Sequence, residues 1–243
     1  VRVVTDIDDT VKSSGNARLA GIPLGGIDAQ YKRGTFYPGV FQFALELARY
    51  QIPPGETPLA VAVLTARARE LLFALEIGED HPISVAYRSC GDANGVPSWG
   101  LGPVLYGSVQ EWICTKRKGW RKMENFTRLL EKDDAEVPRD LSGKGKRQAI
   151  AEGGYIFVGD TGEGDTVAGN SMCAEYPELM RAVFLHFVSN SRCQGGLILP
   201  EDRLVEGVPV AYFRTYVGAS VKAVKLGLMG RDGMERVIAS AKK

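Results

Sequence analysis

The chain has few of the residues that most directly announce a metal or redox site. Histidine occurs twice in 243 residues, as His81 and His186, and cysteine four times, as Cys90, Cys114, Cys173 and Cys193. No two cysteines form a CxxC, and with the histidines they complete no zinc spacing, which excludes a zinc module and a thiol–disulfide motif. The four isolated thiols read as reduced cysteines of a cytoplasmic protein. His186, inside the apolar run AVFLHFV, reads as a core residue with satisfied nitrogens. An excess of one charge is also missing. Thirty basic against 29 acidic residues leave a net charge of +1, which removes the bulk electrostatic case for nucleic acid. No stretch approaches the ~18 apolar residues of a membrane span. No leader is read ahead of the first apolar run, and the chain opens on Val rather than Met, as a processed or excised piece would. The expectation is a cytoplasmic protein, held at most peripherally at a membrane.

What remains is ordinary for a soluble globular domain: 44% apolar and 24% charged residues, in a chain long enough to bury a core without staples. One domain over 1–243 is expected. Nearly continuous apolar runs at 2–7, 59–65, 103–108, 155–160, 182–188 and 208–213 predict strands buried on both faces of a parallel sheet. Between them, Val40, Phe43, Ala44, Leu47 and Ala48 share one helical face over 39–50, with Pro38 and Gly39 marking the start. Met123, Phe126 and Leu130 do the same over 119–131, and Val217, Val221, Val224 and Leu228 near the end. This alternation predicts an α/β fold, a doubly wound, mostly parallel sheet with helices on both faces. Residues 11–36, rich in Gly and Ser, read as a flap-like hairpin over the end of the first strand. Residues 131–148, EKDDAEVPRDLSGKGKRQ, read as a polar surface insertion. Basic residues gather at Lys116, Arg117, Lys118, Arg121 and Lys122, and at Lys144, Lys146 and Arg147; a solvated helix face is the preferred reading of both groups.

The first predicted strand runs into VVTDIDDTVKSS. Crowded carboxylates repel one another unless a cation or a reaction needs them. Alternation along an extended chain places Asp6 and Asp8 on one side and Ile7 in the core. Such a pair suits a hard cation with oxygen ligands, Mg2+ above all, and suits phosphoryl transfer, in which one carboxylate attacks and another handles protons. An EF-hand loop is excluded, because its sixth and twelfth positions from Asp6 hold Val11 and Ala17 instead of Gly and Glu. A second cluster, Asp160 and Asp165 in YIFVGDTGEGDTVAG, follows another apolar run, and ligands of doubly wound folds sit at the carboxyl ends of strands. Asp160 alone suits a helix cap as well as a ligand. Thr65, ending the second long strand, suits a phosphoryl oxygen, and an N-cap for the chain from Ala66 equally well. A cation is wanted near developing charge. Lys122 at a helix start supplies one, with Lys118 one turn earlier; Lys116 and Lys146 are the other candidates.

DIDDT (DxDxT), Thr65, a lysine before a helix and GDTGEGD, in that order, resemble the haloacid dehalogenase superfamily of phosphohydrolases. Within it, DIDDTVKSS, FYPGVFQFALEL, VLTARARE, GWRKMENF, FVGDTGEGD and YFRTYVGAS resemble the catalytic domain of actin-patch-type phosphatidate phosphatases over nearly the whole chain. Two departures stand out: Thr166 where the family often has Pro, and the 131–148 stretch, which lengthens the gap between Lys122 and Asp160. The resemblance implies a phosphomonoester hydrolase in which Asp6 forms an aspartyl-phosphate and Asp8 is general acid and base. It implies Mg2+ held by Asp6, the Asp8 carbonyl and Asp160, with Thr65 and Lys122 on the phosphoryl oxygens. Asp165 either steadies the ion's hydration from outside, the preferred reading, or binds it directly. Asp9 and Thr10 shape the turn, and for Lys12 and Ser13 a turn or surface role is preferred over lining the pocket. Asp8 favours a phosphatase, because dehalogenases of the superfamily lack that second carboxylate. The short gaps between motifs leave little room for a cap, which fits a bulky ester. The implied substrate is phosphatidate at a membrane surface, converted to diacylglycerol. A phosphoprotein or a soluble phosphometabolite is the alternative, and a catalytically idle scaffold a third reading.

Overall fold

A computed structural model describes residues 1–19, 22–23, 26–53, 55–68, 77–107, 118–135, 153–162, 164–190 and 198–243. Strands β1 (Arg2–Thr5), β4 (Val61–Ala68), β5 (Leu101–Gly107), β6 (Tyr155–Asp160), β7 (Met180–His186), β8 (Arg203–Val205) and β9 (Val208–Phe213) form one seven-stranded sheet in the order β5-β4-β1-β6-β7-β9-β8. All neighbours run parallel except β8, which pairs antiparallel with β9 at the edge. The helices are α1 (Val40–Arg49), α2 (Pro82–Ala93), α3 (Lys118–Ala135), α4 (Asp165–Glu175), α5 (Tyr216–Lys225) and α6 (Arg231–Ala241). Among the described residues no helix is long and apolar enough to cross a membrane.

Alternating side chains divide the core between the two faces, the result of strand periodicity in runs apolar on both sides. Val3, Val61, Val63, Ile156, Val158, Ala182, Phe184, Ala211 and Phe213 pack with α1, α2, α5 and α6. Their neighbours Val4, Ala62, Leu64, Tyr155, Phe157, Val183, Leu185, Val210 and Tyr212 pack with α3 and α4. The result is three layers, helices on either side of one sheet.

Several boundaries differ from the sequence reading. The first strand stops at Thr5, and the chain then closes a turn in which Val11 and Lys12 donate N–H to the carbonyl of Ile7 at 2.8 and 3.1 Å. Asp6 and Asp8 are therefore related by a turn and not by strand alternation, although Ile7 is buried as expected. Helix α3 continues to Ala135, so the first five residues of the 131–148 stretch are helical. Asp133 among them is buried, paired with Arg2 at 2.8 Å and accepting the Tyr155 hydroxyl at 2.8 Å. Residues 136–148, and with them Lys144, Lys146 and Arg147, lie outside the described residues. Within 11–36 two short strands, β2 (Arg18–Leu19) and β3 (Ile22–Pro23), pair antiparallel.

Candidate active site

Parallel pairing places the carboxyl ends of β1 and β6 side by side, with Thr5 opposite Val158. Asp6 follows β1 directly and Asp160 ends β6, so the two carboxylates meet at one rim of the sheet. Asp165 opens α4 and joins them: ligand oxygens of Asp6, Asp160 and Asp165, all buried, lie within 4.8 Å of one another. Gly159 makes this approach possible, since a Cβ there would stand 2.5 Å from Asp165 Oδ2. Gly164, at φ +109°, supplies the left-handed turn that starts α4. The Asp165 carboxylate also accepts the backbone N–H of Asp160 at 3.2 Å.

Lys122 enters from the second turn of α3, almost fully buried. Its Nζ lies 2.9 Å from Asp6 Oδ1 and forms a second ion pair with Asp165. The structure therefore places Lys122 at the aspartates; Lys116 and Lys146 lie outside the described residues. Thr65 is buried within β4, two positions beyond Val63, the register partner of Thr5. Asp8 is half-buried on the loop after β1, and its charge pushes the Asp6 carboxyl upward. The side chain completing the acidic triad is Asp165, whereas Asp8 stands outside that triad.

Three buried carboxylates and one ammonium leave the cluster short of positive charge. Burial first, then the neighbouring carboxylates of Asp165 and Asp8, push Asp6 up to about 8 against the opposing pull of Lys122. Burial, and then Asp165 and Asp6, hold Asp160 well above the ordinary carboxylate range. For Lys122 burial works against the charge, but Asp165, Asp6 and Asp160 outweigh it and hold the amine above its ordinary range. Asp160 Oδ1 accepts the Gly162 N–H, while Asp160 Oδ2 is buried with no hydrogen-bond partner among the described residues. An orphaned carboxylate oxygen between two other carboxylates is the donor set that a hard divalent cation takes.

Two residues that the sequence treated as turn formers hold the loop behind the cluster. Asp9 is buried with φ +61°, and its carboxylate accepts the N–H groups of Ser14 and Asp28, each at 2.8 Å, and of Ile27. That ties residues 14–28 to the loop after β1, where Gly26 leaves room: a Cβ there would lie 2.1 Å from Asp9 Oδ2. Thr10 is fully buried, with its hydroxyl unpartnered among the described residues and its carbonyl accepting Tyr216 Oη–H at 2.7 Å. His186 is the satisfied core residue expected: Nδ1 meets the Asp9 carbonyl at 2.7 Å and Nε2 the Arg214 carbonyl at 3.2 Å. Burial lowers its pKa, against the upward pull of the two carbonyls that face its nitrogens. Neither Tyr216 nor His186 was picked out for the site from the sequence. Their signal in the sequence is slight: His186 lies within the predicted 182–188 strand and Tyr216 follows the predicted 208–213 strand by three residues.

The surface at the start of α3 and α4 is partly apolar. Gly119, at the start of α3, approaches the start of α4 so closely that a Cβ would lie 2.9 Å from the Gly164 carbonyl and 3.0 Å from Val167 Cβ. Next to this contact Trp120 is 64% exposed and Val167 51% exposed. In comparisons with known proteins, no family model, no curated protein and no solved structure matches the chain.

Proposed function

We propose that the protein is a Mg2+-dependent phosphomonoester hydrolase of haloacid dehalogenase type acting on phosphatidate at a membrane surface. The observation that carries the reading is the convergence of Asp6, Asp160, Asp165 and Lys122 at one rim of the sheet, with Asp160 Oδ2 left without a partner among the described residues. Asp6 and Asp160 are suited to hold Mg2+ together with the Asp8 carbonyl, while Asp165 holds Lys122 and the Asp160 backbone in place. When bound, the ion supplies charge neutralisation for the phosphoryl oxygens and for the carboxylates around it.

The chain's own groups account for the remaining chemistry. An Asp6 carboxylate oxygen attacks phosphorus, and the bond from phosphorus to the ester oxygen breaks. Asp8 gives its proton to the departing oxygen. Water then attacks the phosphorus of the aspartyl-phosphate and yields a proton to Asp8, releasing phosphate and restoring Asp6. Lys122, fixed by Asp165, offers a permanent cation to the non-bridging oxygens, with the Thr65 hydroxyl as a further donor.

The lipid substrate is favoured over a soluble one by the exposed Trp120 and Val167, which stand two residues along the chain from Lys122 and Asp165. Trp prefers the boundary between water and hydrocarbon. A panel containing p-nitrophenyl phosphate and detergent-dispersed phosphatidate, with and without Mg2+, tests the reading. Turnover of both that requires Mg2+ and disappears in Asp6→Asn is expected. Robust turnover of the soluble ester with none of phosphatidate removes the lipid assignment. No turnover of either leaves the idle scaffold.

A further inference from the structure

The loop from Asp8 to Lys12 carries the proposed acid, and each of its peptide planes has a partner. The plane joining residues 8 and 9 is held by the Asp9 N–H donating to the Lys12 carbonyl at 2.7 Å. The plane joining 10 and 11 is held on one side by the Val11 N–H on the Ile7 carbonyl, and that joining 11 and 12 by the Tyr37 N–H on the Val11 carbonyl at 3.1 Å. Two further holds come from side chains far along the chain. His186 ends β7 and meets the Asp9 carbonyl at 2.7 Å; Tyr216 opens α5 and meets the Thr10 carbonyl at 2.7 Å. A carbonyl oxygen only accepts, so the tyrosine hydroxyl donates; both His186 nitrogens face carbonyls, and the shorter contact, 2.7 Å at Asp9 against 3.2 Å at Arg214, assigns a proton to Nδ1.

Both donors are rigid. The His186 ring stacks on Phe213 at 5.2 Å, and Tyr216 packs against Phe43 and Phe213 at 5.4 and 5.0 Å between ring centroids. Both are almost fully buried, so no water competes for the carbonyls. Asp9, between the two holds, sits in the left-handed region that a non-glycine residue occupies only when its surroundings impose it.

We propose that His186 and Tyr216 are positioning residues for the proton-transferring carboxylate. By fixing the carbonyls of residues 9 and 10 they set where Asp8 points, without touching substrate themselves. This rests on the phosphatase reading above. It predicts that loosening either hold injures protonation of the leaving oxygen more than the attack by Asp6.

The leaving group separates the two effects. p-Nitrophenolate departs without a proton, whereas the alkoxide of n-butyl phosphate must be protonated as it leaves. The quantity to compare is kcat/KM, which covers the steps through the aspartyl-phosphate. In Tyr216→Phe, which removes one oxygen and keeps the ring, kcat/KM for n-butyl phosphate is expected to fall about 100-fold, the order of loss for a misplaced group, against less than about fivefold for p-nitrophenyl phosphate. His186→Asn keeps a donor near Nδ1 and is expected to hold the wild-type ratio, while His186→Leu loses it. The histidine pair reads the same relation should Tyr216→Phe not accumulate as folded protein. Equal falls on both esters, no fall on either, or the same ratio in the Asn and Leu variants would overturn the proposal. If the wild type hydrolyses neither ester, the phosphatase reading fails first and takes this one with it.

Discussion

Lys122 Nζ stands 2.9 Å from Asp6 Oδ1, and the same ammonium pairs with Asp165. One buried cation therefore serves two carboxylates that belong to different strand ends, with a third, Asp160, beside them. Lys122→Met removes the cation and leaves the carboxylates. Breaking a buried pair from one side costs about 3–5 kcal/mol, because the remaining charge is left unpaired. The loss is expected to depend on pH with a definite sign. Asp6 already titrates near 8 in the folded protein, above its unfolded value, so folding favours its protonated form. Removing Lys122 raises that value further, so an added deficit appears as pH rises through about 8, where Asp6 ionises in the wild type but stays protonated in the variant, and the deficit is constant below about pH 7. Urea melts of the wild type and the variant at about pH 6 and about pH 9 check this. Asp6→Asn in the Lys122→Met background is expected to recover part of the loss.

The same elevated carboxyl couples cation binding to protons. Below about 8, Asp6 carries a proton in the cation-free protein, held there mainly by burial. A divalent ion must displace that proton. Apparent Mg2+ affinity is expected to rise with pH between about 6 and 8, by about tenfold per pH unit for the Asp6 proton and more steeply where Asp160 also gives one up. Titration calorimetry in two buffers of different ionisation enthalpy counts the protons released. An affinity flat across that interval contradicts the ligand role of Asp6.

Much of this was legible in the sequence, for reasons that the structure makes plain. The strands beside the site are apolar on both faces, so their runs stand out, and Asp6 and Asp160 mark where two of them end. Parallel order does the rest, because adjacent strand ends share a rim. What was not legible depends on packing between distant segments. Helix α4, DTVAGNSMCAE, buries small residues such as Gly169, where a Cβ would lie 2.8 Å from Val183, so it shows no apolar stripe. Its Asp165 read as a remote helper of the ion, and only the approach over Gly159 brings it against Asp6 and Asp160. The choice among four lysines was likewise open, since which one turns inward is set by how α3 lies against α4. The grips of His186 and Tyr216 on residues 9 and 10 span 177 and 206 positions and leave no local trace.

Trp120 is 64% exposed next to an ion pair that is almost fully buried, a contrast that a surface-docking role explains. Burying such a ring is worth on the order of 1–2 kcal/mol, or about tenfold in binding. Trp120→Ala is therefore expected to weaken binding to vesicles of phosphatidylcholine with phosphatidate by about tenfold. Turnover of p-nitrophenyl phosphate is expected to stay within about twofold of the wild type, since Trp120 is exposed while Lys122 is buried at the aspartates. Co-sedimentation together with the soluble assay measures both. Unchanged vesicle binding would mean that the exposed ring serves some purpose other than lipid.

Asp133 offers a test of the fold that is independent of the chemistry. It stands where the sequence reads as charged surface, yet it is buried, with one oxygen on Arg2 Nη1 at 2.8 Å and the other accepting the Tyr155 hydroxyl at 2.8 Å. Arg2 and Tyr155 open the adjacent strands β1 and β6, opposite one another in register. Asp133 thus clamps the amino ends of the two strands whose carboxyl ends carry Asp6 and Asp160. Arg2 Nε lacks a partner among the described residues, so removing the carboxylate leaves a buried guanidinium with still fewer acceptors there. Asp133→Ala is expected to cost about 3–5 kcal/mol of stability, and Asp133→Asn less, because the amide oxygen still accepts a hydrogen bond. Chemical denaturation of both variants measures the difference. A loss below about 0.5 kcal/mol in Asp133→Ala would place this residue on the surface after all.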